Sequence, residues 1–473
     1  MLILTALICA CIVFLYYKLR LPLQYWKDRN TPHPTPSIII GNLGPVLFRK
    51  ESYTQQLQKT CAEYKGFRYF GLYHFSKPCL VILDKELIKQ IFIKNFEHFT
   101  DHFDFLPKDV DTFWKKGLFG REGEDWQAMR STISPAFTSK KMKAMFYLVA
   151  ECSERFVNHF REKNTTVTIE MMDAFTKCNN DVIASCTFGI HCDTLENEKN
   201  EFYLMGKEAF SFSGLKGIKF FGNAISPTLS RLLRVKMFSN KIRDFFIRIT
   251  QETMAYREKT GLHRPDVLHL LMEAQKGRLT YEEDNDQLGS SFSGIEKQYH
   301  DKKNNFNKFS ISDEDIASQA LIFFFGSYDT VSIVLSHIVY ELVANGDVQN
   351  KLIKEVDYTL NDCNGKITYE ALFKMKYLDM VVSETMRLWP PPPFLSRVCV
   401  KPFVIEPILP NETRLLIEPG TEVMVSVNTS HRNPEYFPNP EKFNPERFND
   451  ENKENIEACT YFPFGIGPRH CIG

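Results

Sequence analysis

The chain has 473 residues, 43% of them apolar and 25% charged, the make-up of a folded globular protein with one large domain or two fused ones. Its 58 basic and 58 acidic side chains cancel, so no global charge points to nucleic acid as a partner. Twelve cysteines without paired CxxC spacing argue against both zinc and a disulfide framework, and for a reducing compartment. At the N-terminus, Leu2 to Tyr17 is almost wholly apolar and is followed by Lys18 and Arg20. The run is short of the roughly 20 residues that span a bilayer, but Tyr16, Tyr17 and Trp26 suit an interface and the bases can snorkel. A cleaved signal peptide is the alternative. No basic stretch precedes the run and no convincing small-residue cleavage site follows it, so residues 1–20 are expected to be an uncleaved anchor with its basic flank in the cytosol. The sequons at Asn164, Asn411 and Asn428 would then go unglycosylated.

Residues 21–37 form a basic, proline-rich segment. Its run Thr31-Pro32-His33-Pro34-Thr35-Pro36 predicts a stiff spacer between the anchor and a domain spanning 38–473. Phe67–His74 and Cys79–Leu83 read as two strands of a small sheet. Helical periodicity then dominates to about residue 260. Within that region, Phe220-Phe221 and the segment Leu232–Phe238 mix bulky apolar and basic residues and suit either a bilayer surface or an amphipathic helix facing the core. Arg278–Phe309 reads as a surface loop.

A long helix is expected to begin after Ser312, whose hydroxyl caps it while Asp313, Glu314 and Asp315 complement its dipole. It runs to Asn345-Gly346, about 50 Å by the standard rise, and its apolar circumference predicts that it crosses the interior. From Pro402 the chain returns to strands and proline-rich loops. A mainly α fold with a small β region is the expectation.

Four motifs stand out, three of them suited to chemistry and one to structure. The last residues, Phe462-Pro463-Phe464-Gly465-Ile466-Gly467-Pro468-Arg469-His470-Cys471-Ile472-Gly473, hold a cysteine on a loop whose glycines let the backbone turn close to a flat macrocycle. Cys471 suits a thiolate ligand to haem iron, and Arg469 suits a propionate; taken alone, Cys471 reads equally well as a buried structural thiol. Glu384 and Arg387 lie three apart on one helical face between apolar flanks, with Arg447 downstream in Pro445-Glu446-Arg447-Phe448. Together the three would make a buried ionic cluster, whereas alone Glu384 and Arg387 would be a solvated pair. Trp126 and Arg130 are four apart. Phe325-Gly326-Ser327-Tyr328-Asp329-Thr330 interrupts the long apolar helix, placing an acid and a hydroxyl mid-helix where propensity favours neither. For Thr330 the local alternative is a hydroxyl bonded back to the Gly326 carbonyl.

At these residues the chain resembles the cytochrome P450 family of haem-thiolate monooxygenases, with the motifs in the family's order from the anchor to the last residue. The resemblance implies a cytochrome P450-like fold with haem b as cofactor and Cys471 as the iron ligand, with Phe464 beside it. Trp126, Arg130, Arg397 and Arg469 would meet the haem propionates, and Asp329 and Thr330 would relay protons to oxygen. Family members typically carry glycine where this chain has Ser327, which leaves the shape of the oxygen groove open. Phe103, Phe105, Phe113, Phe324, Phe325, Phe394 and Leu395 would line a dry, aromatic pocket for a lipophilic substrate, although each also reads as ordinary core.

No nucleotide-binding glycine fingerprint occurs, so the resemblance implies electrons from NADPH through a separate flavoprotein reductase, with cytochrome b5 as a second donor to consider. Lys140, Lys141 and Lys143 offer a basic docking patch or simply a solvated face. An endoplasmic-reticulum location with the catalytic domain facing the cytosol follows from the anchor. Arg387-Leu388-Trp389-Pro390-Pro391 and the aromatic loop look most like insect members that oxidise foreign compounds and plant toxins. Two rival readings stand beside this one. An oxygen-independent isomerase on the same fold would have no use for Asp329 and Thr330. A non-catalytic haem-binding fragment is suggested by the end of the chain just after Cys471, where the family continues with a helix and further strands.

Overall fold

The computed structural model describes residues 16–17, 20–103, 109–211, 227–279 and 310–473. Most of the expected anchor, Phe105, Phe220, Phe221 and nearly all of the predicted loop 278–309 lie outside the described residues. The fold is mainly helical with two small sheets.

Strands β1 (Tyr69–His74) and β2 (Lys77–Ile82) form the expected antiparallel hairpin. Four strands come from far downstream: β3 (Phe394–Val398), then β4 (Phe403–Ile405) and β5 (Leu415–Ile417), which pair with each other, and finally β6 (Glu422–Ser426), which with β3 joins the first sheet. The larger sheet runs β1-β2-β6-β3, with β2 and β6 parallel and the other pairs antiparallel. Side chains alternate along β3. Phe394 therefore faces Tyr53, ring centroids 5.3 Å apart, while Leu395 turns to the opposite face and packs against the apolar cluster containing Phe462 and Ile466.

The helices that position the site are α1 (Gly123–Ile133), α2 (Met171–Ile183), α3 (Asp313–Ala344) and α4 (Lys376–Leu388). Ser312 caps α3 in a reciprocal box with Asp315, which satisfies two otherwise unpaired backbone donors. The first half of α3 is core: Ile316, Ala317, Ala320, Leu321 and Phe324 are almost inaccessible to solvent. Its second half departs from the expectation that the helix is interior throughout. Val331, Tyr340 and Val343 are exposed, because the described neighbours α2 and α4 cover only part of its circumference there.

The predicted spacer also differs. Trp26 is not interfacial but fully buried: its indole N–H donates to the Leu72 carbonyl at 2.9 Å, and it packs so closely on Gly71 that a Cβ there would lie 2.4 Å from the ring. Pro32 accepts the Gly71 amide at 2.8 Å, so the proline segment is docked along β1 rather than standing free. An aromatic residue near an apolar run looks the same in sequence whether it meets lipid or a neighbouring strand.

Candidate functional site: a thiol loop ringed by arginines

Phe462 opens the thiol loop, its backbone N–H donating to Nε2 of the buried His431 at 2.9 Å. Gly465 (φ +84°) and Gly467 (φ +74°) take left-handed conformations, and a Cβ at 467 would lie 1.9 Å from the Phe92 carbonyl oxygen. The turn closes when the Cys471 amide donates to Phe464 O at 2.8 Å and that of His470 to Gly467 O at 2.9 Å. These bonds leave the Cys471 thiol exposed at the loop's end, with the partly exposed Phe464 ring on the same turn. Arg130, on the last turn of α1, donates to the carbonyls of His470 (3.1 Å) and Cys471 (3.4 Å) and so ties the loop to that helix.

Two further arginines are buried beside the loop. Arg469 donates to the carbonyls of Thr100 (2.8 Å) and Arg121 (2.7 Å), and its guanidinium sits 4.1 Å from the Trp126 ring centroid. Arg397 donates to the carbonyls of Ser396 (2.7 Å) and Ile466 (3.3 Å) and lies 3.4 Å from His102 Nδ1, while its Nε has no partner among the described residues. Burial pushes the pKa of each guanidinium down to about 9, and for Arg469 the neighbouring Arg397 adds to the effect. Burial and the same two cations hold His102 well below the usual histidine range, so its ring is neutral; it stacks on Phe119 at 4.4 Å. The acid nearest to Arg469 is Asp101 at 3.7 Å. A buried cation with an orphaned N–H and no carboxylate of its own is costly, and it fits a group that brings carboxylates with it. The donor set, one accessible thiol beside a surplus of buried guanidinium, is therefore chemically suited to haem and its two propionates.

Asp329 is half-buried on α3, and desolvation raises its pKa. The exposed Thr330 hydroxyl donates to Gly326 O at 2.7 Å, the local bond that was the alternative for this residue. Ser327 bonds back to Phe323 O in the same way. A Cβ at Gly326 would meet nothing within 4 Å, so this face of α3 has room beside it.

Glu384, Arg387 and Arg447 meet in a cluster in which the first two are wholly buried. Arg387 reaches Glu384 through Nε (2.7 Å) and Nη2 (2.9 Å), Arg447 approaches the same carboxylate at 3.3 Å, and the Asn444 amide donates to it at 2.8 Å. Arg387 also donates to the carbonyls of His431 and Pro440, so α4 is bound to the segment that leads into the thiol loop.

The predicted pocket residues do not share one surface. Phe113, Phe324 and Phe325 join a single aromatic cluster, but Phe324 is enclosed by Phe202, Phe246 and Tyr328 and belongs to the core. Phe394 faces away towards Tyr53. Leu395 lies 3.9 Å from where a Cβ on Gly465 would stand, and Phe103 lies under the Lys77 ammonium at 5.2 Å. In the basic segment, Lys143 pairs with Glu370. Of Leu232–Phe238, Val235 and Phe238 are core and Leu232 and Leu233 are exposed. Sequence reasoning missed Asp101, His102 and His431. The first two immediately precede the predicted Phe103 but carry no local pattern, and His431 stands alone in a polar segment.

The cytochrome P450 family model matches residues 31–473. Cytochrome P450 9e2 of Blattella germanica is 42% identical over 466 residues, 95% of this chain and 84% of its own length. Probable cytochrome P450 9f2 of Drosophila melanogaster is 34% identical over 461 residues (95% and 85%), and cytochrome P450 6k1 of Blattella germanica is 34% identical over 473 residues (100% and 86%).

Proposed function

The chain belongs to the cytochrome P450 family and is a haem monooxygenase of that kind, and from this premise we propose that it oxidises lipophilic small molecules with electrons from NADPH delivered by a separate flavoprotein reductase. In the net reaction one atom of O2 enters a substrate C–H bond and the other leaves as water, with NADPH and a proton supplying the two electrons and the hydrogen balance. The observation that carries the reading is the exposed Cys471 thiol on a glycine-shaped loop, with Arg130 on its carbonyl and buried Arg397 and Arg469 beside it.

Bound haem b supplies the oxygen-activating iron, and thiolate ligation favours O–O cleavage. Cys471 would be the ligand, with Phe464 beside it on the same turn. Arg130, Arg397 and Arg469, with Trp126 stacked on the last, orient the cofactor through its carboxylates, since the guanidinium fork matches them. Asp329, its pKa raised by desolvation, holds and releases a proton at its carboxyl oxygen, and the Thr330 hydroxyl passes it on. Glu384, Arg387 and Arg447 do no chemistry; they fix the base on which the loop stands. Phe103, Phe113, Phe325 and Leu395 exclude water and select apolar, aromatic-compatible substrates by shape. Foreign compounds and plant toxins are the proposed class.

Residues 1–20 anchor the chain in the endoplasmic reticulum membrane with the domain on the cytosolic side. The segment around Lys140 and Lys141 receives the reductase, and cytochrome b5 as a second donor. The test is expression in microsomal membranes with a reductase. The reduced carbon monoxide difference spectrum should show a thiolate-type band, and NADPH-dependent dealkylation of an alkoxycoumarin probe should accompany it. Both should vanish in Cys471→Ser. A thiolate band with no NADPH-dependent oxidation across a panel of lipophilic probes would overturn the substrate reading.

A further inference from the structure

Helix α3 carries an unusual concentration of side-chain donors on its own backbone immediately before Asp329 and Thr330. Three consecutive carbonyls, those of Gly326, Ser327 and Tyr328, accept bonds from side chains. Thr330 Oγ1 serves the first at 2.7 Å and Ser332 Oγ the third at 2.9 Å, both from within the helix. The second and third also accept from outside it: Asn179 Nδ2, on α2, lies 2.8 Å from Ser327 O and 3.0 Å from Tyr328 O, and 3.4 Å from Ser332 Oγ. Carbonyls that accept an extra bond tilt off the helical ladder and bend the helix. Asn179 is 5% exposed, and asparagine is a poor residue for the middle of a helix, so its presence there asks for a compensating contact. Ser332, fully buried, and Tyr328, stacked on Phe210 at 4.6 Å, fix the same stretch from either side.

We infer that Asn179 is a positioning residue for the proton relay: its amide clamps the Ser327 and Tyr328 carbonyls and thereby sets the backbone from which Asp329 and Thr330 project. The inference rests on the relay reading of those two residues. The clamp explains how the chain places a relay in a helix that has Ser327 where family members typically carry glycine. The extra bonds to these carbonyls come from a neighbouring helix rather than being left to backbone freedom at that position.

The test compares Asn179→Leu, which keeps the volume and removes the donor, with Asp329→Asn and Thr330→Val, each as the whole haem-loaded chain with reductase, NADPH and the alkoxycoumarin probe. Asn179→Leu should keep the thiolate-type carbon monoxide band. Peroxide released per NADPH should rise about three- to tenfold, the rate equivalent of one neutral hydrogen bond, as it should in the two relay variants. Hydrogen exchange of the segment 323–332 should accelerate in the haem-loaded and haem-free chain alike. Asn179→Ser is the second variant, shortening the donor without a bulkier apolar replacement, should Asn179→Leu fail to fold. Faster exchange with unchanged peroxide, while the relay variants uncouple, would make Asn179 merely structural and overturn the inference. Unchanged peroxide in Asp329→Asn and Thr330→Val would instead remove the relay reading and the inference with it.

Discussion

His431 shows how a single buried side chain couples the thiol loop to pH. It is wholly buried, its Nε2 accepts the Phe462 amide, and the rings of Tyr461 and Phe462 lie 5.0 and 5.3 Å away. Burial, with the charge of Arg387, pushes its pKa from 6.5 down to about 3. The folded chain therefore keeps this imidazole neutral where the unfolded chain takes up a proton. The contribution to stability is complete above pH 6.5 and is lost as pH falls towards 3, by up to about 1.4 kcal/mol per pH unit. His431→Gln keeps an acceptor for the loop amide but cannot titrate. It should have lower stability at pH 7.5 yet a shallower decline to pH 5.5, read as the urea midpoint for loss of the thiolate-type band. Equal slopes in the two proteins would place the acid sensitivity elsewhere.

At the scale of elements, the loop glycines separate conformation from space. Both need positive φ, which costs another residue about 1–2 kcal/mol, but only Gly467 is pressed against backbone. Gly467→Ala should abolish the thiolate-type band because its Cβ collides with the Phe92 carbonyl. Gly465→Ala, whose nearest new neighbour is 3.5 Å away, should keep most of it at reduced stability. Comparison of reduced carbon monoxide spectra at matched protein concentration decides between them, and equal loss would mean that conformation alone governs the loop. Such features are legible in sequence because they are local: the glycine turn, the hairpin at Tyr69–Ile82, the capped helix Asp313–Ala344 and the pairing of Glu384 with Arg387 all act over a few residues. What was not legible depends on contacts across the chain. Arg397 meets His102 295 positions away, and Asn179 meets Ser327 148 positions away. Phe394 and Leu395 are neighbours of equal apolar character, and only the register of β3 against β6 sends one to Tyr53 and the other to the thiol loop.

Over the whole molecule the charges cancel, yet locally they do not. Arg397 and Arg469 are almost fully buried and remain cationic at neutral pH; among the described residues Asp101 approaches Arg469 at 3.7 Å and Glu122 acts on it from further away. The polypeptide alone thus folds against an electrostatic cost that a ligand with two carboxylates offsets, which makes haem a determinant of folding as well as of chemistry. Stripping haem should therefore lower the thermal midpoint. Arg397→Met, which keeps an unbranched stem and removes the charge, should act with opposite sign in the two forms. In the haem-free chain it should raise stability by about 1 kcal/mol or more, because an uncompensated buried cation disappears. In the loaded chain it should speed haem loss to an excess of apomyoglobin, as the proposed pairing of Arg397 with a propionate requires. The bonds from Arg397 to the Ser396 and Ile466 carbonyls work against the first effect, so its sign is the discriminating result. Lower stability in both forms would mean that Arg397 serves β3 and the loop as a hydrogen-bond donor first, with its charge incidental to the cofactor.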